Sequence, residues 1–203
     1  MNKLKSTARR LDGFFHVLQI LYAIAAVASL IGLLLIAACF VFKLDPEQIG
    51  KGFQVLDIGT LVIELAKEYV PNKYSILTIA AEELIAAIIL ALLGRKCLTY
   101  IRKILRPMRE GLPFHETAAA NLRRIALLTL IIGIVINCSR FANCYLTKYI
   151  YNLEELLLNG RIIGISINQK LDLFYLVISG VMLLLSYVFR YGHSLQQLSD
   201  ETL

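Results

Sequence analysis

Long apolar runs divided by shorter polar and basic stretches dominate the chain, and four of them reach the length of a bilayer-crossing helix. A hydrocarbon core of about 30 Å takes about 20 mostly apolar helical residues. The runs fall at residues 14–42, 76–101, 125–149 and 171–189. The first has no charge in its core. The second carries Glu82 and Glu83 early and Arg95 and Lys96 late, and the third contains Asn137, Arg140 and Asn143. Helices fit these lengths better than barrel strands, because backbone polar groups in lipid must be satisfied within their own segment. The pattern predicts an all-α integral membrane protein, one transmembrane domain of four helices over residues 1–203, with cytoplasmic termini and helical extracytoplasmic segments.

The connections carry weaker patterns. Between the first two spans, Val55, Ile58, Leu61, Val62, Leu65 and Tyr69 recur at intervals consistent with an amphipathic helix, with Asp57, Glu64, Lys67 and Glu68 toward water. Leu153, Leu156 and Leu157 repeat that spacing before an Asn159-Gly160 turn, and residues 162–167 read as a short strand or extended segment. The two connections either pack together as a cap or lie separately along the lipid interface. On the other side, residues 100–109 continue the second helix as a basic stretch that Gly111 and Pro113 end, and Thr117 or a residue near it caps the third. Gly192 is expected to break the fourth helix, leaving a short polar tail from Ser194 to Leu203.

Composition agrees with lipid as the solvent. Of 203 residues, 58% are hydrophobic and 18% charged, against roughly half and a quarter in soluble domains, and mean hydropathy is +0.67. Disorder, collagen and a disulfide scaffold are excluded. The first run also has a rival reading as a secretion signal, with Ile36-Ala37-Ala38-Cys39 resembling a lipoprotein cleavage box. Its apolar stretch of about 25 residues before Cys39 exceeds the 7 to 15 of a signal core, which favours a retained helix.

Charge sets the expected orientation. Lys and Arg total 21 against 15 Asp and Glu, a net charge of +6. Thirteen of the cations fall in the N-terminal tail, the connection between spans two and three together with Arg95 and Lys96 at the end of span two, and the segment after span four. Seven lie on the other side, and Arg140 is within the membrane. Because Lys and Arg mark cytoplasmic loops, both termini are expected inside. The partners this implies are the lipid bilayer and anionic lipid headgroups, with no direct nucleic acid. Arg102, Lys103, Arg106 and Arg109 are the candidate contacts for a cytoplasmic regulatory protein.

Candidate chemistry is sparse. Cys39, Cys97, Cys138 and Cys144 stand singly and read as small buried hydrophobes. His16, His115 and His193 lie apart from them, so neither a metal nor another cofactor is expected. No phosphate loop, dinucleotide fingerprint or nucleophile elbow is present, and no catalytic residue is assigned. Intramembrane polar groups are the candidates for a ligand or proton pathway: Glu82, Glu83, Asn137, Arg140 and Asp172. Helical rise places Arg140 about 24 Å above Arg124 and Glu83 about 18 Å above Arg95, toward the outer half of the bilayer. A buried Arg140 paired with Glu83 or Asp172 and supported by Asn137 and Asn143 competes with packing polarity alone, or with an Arg140 that snorkels outward. Ala25, Ala28, Ser29 and Gly32 form a small-residue stripe that suits either packing within one chain or a homo-oligomer. Tyrosines such as Tyr22, Tyr100, Tyr145, Tyr149, Tyr187 and Tyr191 sit near span boundaries, as interface anchors do.

Pro113-Phe114 with Asn121-Leu122-Arg123-Arg124-Ile125 before the third span, then Phe189-Arg190-Tyr191-Gly192 and Leu195-Gln196-Gln197 leading to Asp200-Glu201-Thr202-Leu203, carry a family resemblance. In these motifs and in its four-span layout the chain resembles the bacterial membrane proteins grouped as domain of unknown function 2975. Leu198-Ser199 stands where a more acidic stretch is expected. The resemblance implies a bacterial cytoplasmic-membrane protein, often encoded beside a small helix-turn-helix regulator, and brings no chemistry. The expectation is a non-enzymatic membrane protein, an envelope sensor or regulatory interaction protein. A small oligomeric transporter or channel using the polar residues of spans two to four is the alternative.

Overall fold

The computed structural model describes residues 2–42, 55–57, 61–65, 73–110, 115–150, 162–167 and 170–201. Four long helices account for most of them: α1 (Asn2–Val41), α2 (Lys73–Glu110), α3 (Glu116–Ile150) and α4 (Phe174–Glu201). All four are long and apolar enough to cross a membrane. Their apolar side chains remain largely at the surface. In the most apolar stretch of α1 no residue is buried, and Phe14, Leu34 and Leu35 are each more than half exposed. A helix that is apolar all round and outward-facing has no water-soluble rationale, whereas lipid solvates it.

Local signals explain the helix ends. The backbone N–H of Thr117 donates to His115 Nδ1 at 3.3 Å, so His115 rather than Thr117 caps α3. The first carboxylate before α4, Asp172, accepts the N–H of Phe174 at 3.0 Å in the same role. As expected from the basic extension, α2 continues past the apolar run to Glu110, with Pro107 inside its last turn. Gly192, however, does not break α4, which runs on to Glu201. An interior glycine costs a helix only about 1 kcal/mol. The Ser194 hydroxyl also finds a helical partner, donating to Tyr191 C=O at 2.8 Å.

The two connections expected on the extracytoplasmic side differ from the helical expectation. Residues around Val55 and Leu65 form strands β1 (Val55–Asp57) and β2 (Leu61–Leu65), and β3 (Ile162–Ile167) joins them in an antiparallel sheet of order β1-β2-β3. β2 pairs with both neighbours, Ile63 standing opposite Leu56 on one side and Ile165 on the other. A bulge at Glu64/Leu65 lies where Gly164 is the partner of Glu64. The apolar spacing read as helical loses to β-branched Val62 and Ile63 once a partner strand is supplied from a connection about 100 residues away. Thus the two connections do pack together, as a sheet. The helical reading around Leu153, Leu156 and Leu157 lies outside the described residues.

The chain forms two compact units. The terminal unit comprises residues 1–26, 89–134 and 172–203, and the sheet-bearing unit residues 27–88 and 135–171. In the terminal unit, Ile104, Ala118, Leu122 and Ile125 form a buried core joined by Tyr100, Met182 and Phe189, so α2, α3 and α4 pack together. α3 and α4 approach closely at Gly133, where a Cβ would lie 2.5 Å from Tyr175 Cβ. Serine hydroxyls fasten the same pair: Ser179 donates to Ala126 C=O at 2.9 Å and Ser186 to Ala119 C=O at 2.8 Å. In the sheet-bearing unit Gly32 of α1 faces Leu84 of α2, a Cβ there falling 3.1 Å from Leu84 Cδ1. Of the small-residue stripe, Ser29 and Gly32 are half-buried while Ala25 and Ala28 are exposed.

Candidate functional site

In the sheet-bearing unit, polar side chains concentrate along the seam between α2 and α3. Ser139, Asn143 and Thr147 recur every fourth residue on α3, which puts them on one face. Glu82 and Glu83 answer from α2. The Ser139 hydroxyl donates to Glu82 Oε1 at 2.9 Å, and the Asn143 amide donates to Glu83 Oε1 in a short hydrogen bond. Asn143 is 2% exposed and Thr147 0%, the two most deeply buried large side chains described. Three oxygens in this seam, Glu82 Oε2, Asn143 Oδ1 and Thr147 Oγ1, are buried and accept or donate no hydrogen bond.

The remaining pathway candidates fall around this seam or away from it. Asn137 is half-buried. Arg140 is exposed on α3, which goes against the buried-guanidinium alternative and agrees with a side chain that reaches outward. The long side chain of arginine reaches outward at little cost, whereas a neutral amide or hydroxyl can be buried more readily. Asp172 belongs to the terminal unit and serves as the α4 cap. Cys138 is likewise exposed rather than buried. Among the described residues no cluster of three His, Cys, Asp or Glu is placed to hold a metal.

The terminal unit has its own polar site, centred on a residue the sequence reading passed over. Asp12, only 7% exposed, receives Arg102 Nε on Oδ1 and Arg109 Nη1 on Oδ2, both at 2.8 Å. Arg102 Nη1 also donates to Gln19 Oε1 at 2.9 Å and lies 3.0 Å from His16 Nδ1. Gln19 then donates to the Thr99 hydroxyl at 2.6 Å, which donates to Arg95 C=O at 2.9 Å. A signal for this network was present: Asp12 is the only acidic residue before Asp45, set among Lys3, Lys5, Arg9 and Arg10.

That network sorts the four cytoplasmic interaction candidates. Arg102 and Arg109 are tied inward to α1, whereas Lys103 and Arg106 are exposed. Lys103 and Arg124 also sit over the Tyr100 ring, 5.4 and 5.5 Å from its centroid. Tyr145, Tyr149, Tyr187 and Tyr191 are all well exposed, as boundary anchors require. Beside Ser186 a cavity of about 290 Å³ is bordered by Arg123 of α3 and by Arg190 and His193 of α4.

Comparison with known protein families, curated proteins and solved structures finds no match to this chain.

Proposed function

We propose that the chain is a non-enzymatic, multi-pass protein of a bacterial cytoplasmic membrane that acts as a regulatory interaction protein. Both termini are inside, and the sheet lies outside as the element that registers an envelope condition. The pairing of β2 with β3 carries this reading, because it joins two distant connections into one folded element instead of leaving each to run along the lipid interface. The exposed cations Lys103 and Arg106 and the helical end of α4, with Leu195 and Leu198 exposed, offer the inward contact surface. The family resemblance supplies the class of partner, a small helix-turn-helix regulator.

The test starts from topology. In a background whose native cysteines are replaced, which exposed Cys138 makes necessary, single cysteines at Gln54 and Asn159 are expected to label from outside intact cells. Those at Ser6, Glu110 and Ser199 are expected to stay dark. Photo-crosslinkers at Lys103 and Arg106 should then capture a cytoplasmic protein in a pattern that changes when β2 is interrupted by Ile63→Pro. Labelling on the opposite faces, or crosslinks indifferent to Ile63→Pro, removes the reading.

The acceptor-rich seam favours one second reading, an oligomeric transporter or channel that passes a cation along α2 and α3. Flux into liposomes that falls in Glu83→Gln and Arg140→Gln supports it. Absent or unchanged flux does not.

A further inference from the structure

The seam between α2 and α3 holds more acceptors than its own donors can serve. Ser139 and Asn143 each give one hydrogen bond to a glutamate, and the leftover atoms are Glu82 Oε2, Asn143 Oδ1 and Thr147 Oγ1. The orientation of the Asn143 amide is fixed by its bond to Glu83: only the NH₂ end can face a carboxylate, so the carbonyl oxygen must be the end left over. A carboxylate oxygen and an amide carbonyl cannot donate, and the Thr147 hydroxyl has one proton to give. No rearrangement of these side chains among themselves therefore satisfies all three. Burial makes the deficit costly, since an unpaired polar atom away from water forfeits its hydration with nothing in return.

A cation completes such a site by accepting several oxygens at once, and the carboxylates favour it over a neutral donor. We infer that the seam is a binding site for a hard, oxygen-coordinated metal cation of the calcium class, held by Glu82 and Asn143, with Glu83 supplying a second negative charge; Thr147, about two helical turns beyond Ser139, lies too far along α3 to share the ion. The donor set decides the class. It contains carboxylate and amide carbonyl oxygens and neither sulfur nor imidazole, which selects hard cations over zinc or copper. Calcium takes mixed oxygen ligands in flexible geometry, whereas magnesium demands a near-octahedral shell, so ligands whose positions are set by helix packing suit calcium better. The inference does not depend on the signalling role proposed above; a protein without a partner would still bind the ion.

The full chain, purified in detergent or nanodiscs, provides the test. It has ten tyrosines and no tryptophan, so terbium ion luminescence, excited through tyrosine, reports an oxygen-ligated site, and Tyr145 and Tyr149 lie on the α3 segment that carries Asn143. Terbium is expected to give a saturable signal that calcium displaces at lower concentration than magnesium or sodium. Glu82→Gln keeps the acceptor for Ser139 but removes the charge, and Asn143→Leu keeps the bulk but removes the carbonyl; each should weaken binding by about tenfold or more. Calcium should also raise the melting temperature of the parent and leave both variants unmoved, a readout that separates lost binding from lost folding. Unchanged terbium affinity in both variants, absence of a calcium response in the parent, or a melting temperature that follows pH but no metal ion would each overturn the proposal, the last by making the seam a proton site.

Discussion

The two polar sites face the same difficulty, charged and hydrogen-bonding side chains set between apolar helices, and they resolve it in opposite ways. Around Asp12 the carboxylate has a guanidinium on each oxygen, and the donors run onward through Gln19 and Thr99 to a backbone carbonyl. Each described acceptor in that series meets a donor. Between Glu82, Glu83 and Asn143 the charges are of one sign, and three oxygens are left without partners. Buried polar side chains are common to both sites, Asp12 in one and Asn143 in the other, so burial alone does not mark a place where a ligand belongs. The imbalance between donors and acceptors does.

The strongest way to break this contrast is to remove the carboxylate from the satisfied site. Asp12→Leu deprives Arg102 and Arg109 of their counterion, and removing one partner from a largely buried ion pair costs about 3 kcal/mol. Thermal unfolding in detergent should show a loss of that order, with Asp12→Asn losing less because an amide oxygen still accepts one guanidinium N–H. Combining Asp12→Leu with Arg102→Met should restore part of the loss, since the cycle removes a charge left without its partner. A double variant whose loss equals the sum of the two single losses would show that Asp12 and Arg102 are not coupled.

A second comparison concerns how closely the helices approach in each unit. In the terminal unit a Cβ at Gly133 meets Tyr175 Cβ at 2.5 Å, an atom fixed to the backbone, so Gly133→Ala should force the α3 and α4 backbones apart and cost about 2 kcal/mol. At Gly94 the obstacle is the far end of the Tyr22 ring, 2.8 Å away on a side chain that can swing, and Gly94→Ala should cost less. Gly32 in the sheet-bearing unit meets only the terminal methyl of Leu84 at 3.1 Å, so Gly32→Ala should be the mildest. Ranking the three melting temperatures checks the order, and a reversal would place the tight packing in the sheet-bearing unit instead.

The legibility of the sequence follows the range of the forces involved. Four helices were readable because a run of about 20 apolar residues carries its own explanation in lipid, independent of any neighbour. The sheet was not readable, because residues around Val62 carry apolar spacing compatible with a helix and only their pairing with Ile162–Ile167 selects the strand. Half of the acceptor-rich site was legible for a similar reason: Glu82, Glu83 and Asn143 are conspicuous in an oily context, while Ser139 and Thr147 are ordinary residues until their shared face with Asn143 is seen. Asp12 escaped notice because it precedes the first apolar run and looks like a tail residue. Its meaning depends on arginines some 90 residues away.

The smallest and most discriminating effect is expected at Thr147. Its hydroxyl is fully buried without a hydrogen bond, so in cation-free buffer the protein carries the desolvation cost of that oxygen and gains nothing for it. Thr147→Val replaces the hydroxyl by a methyl of similar size, and the variant should be more stable than the parent by about 1 kcal/mol. The sign is opposite to that expected at Asp12, although both substitutions delete a buried polar group between helices. With calcium present the difference should persist, because Thr147 lies about two helical turns from the Glu82–Ser139 pair and both proteins keep the ion's ligands. Thermal unfolding of both proteins with chelator and with calcium reads the two differences directly. If Thr147→Val is destabilised in chelator, the hydroxyl has a partner in the folded protein and the two sites are alike after all.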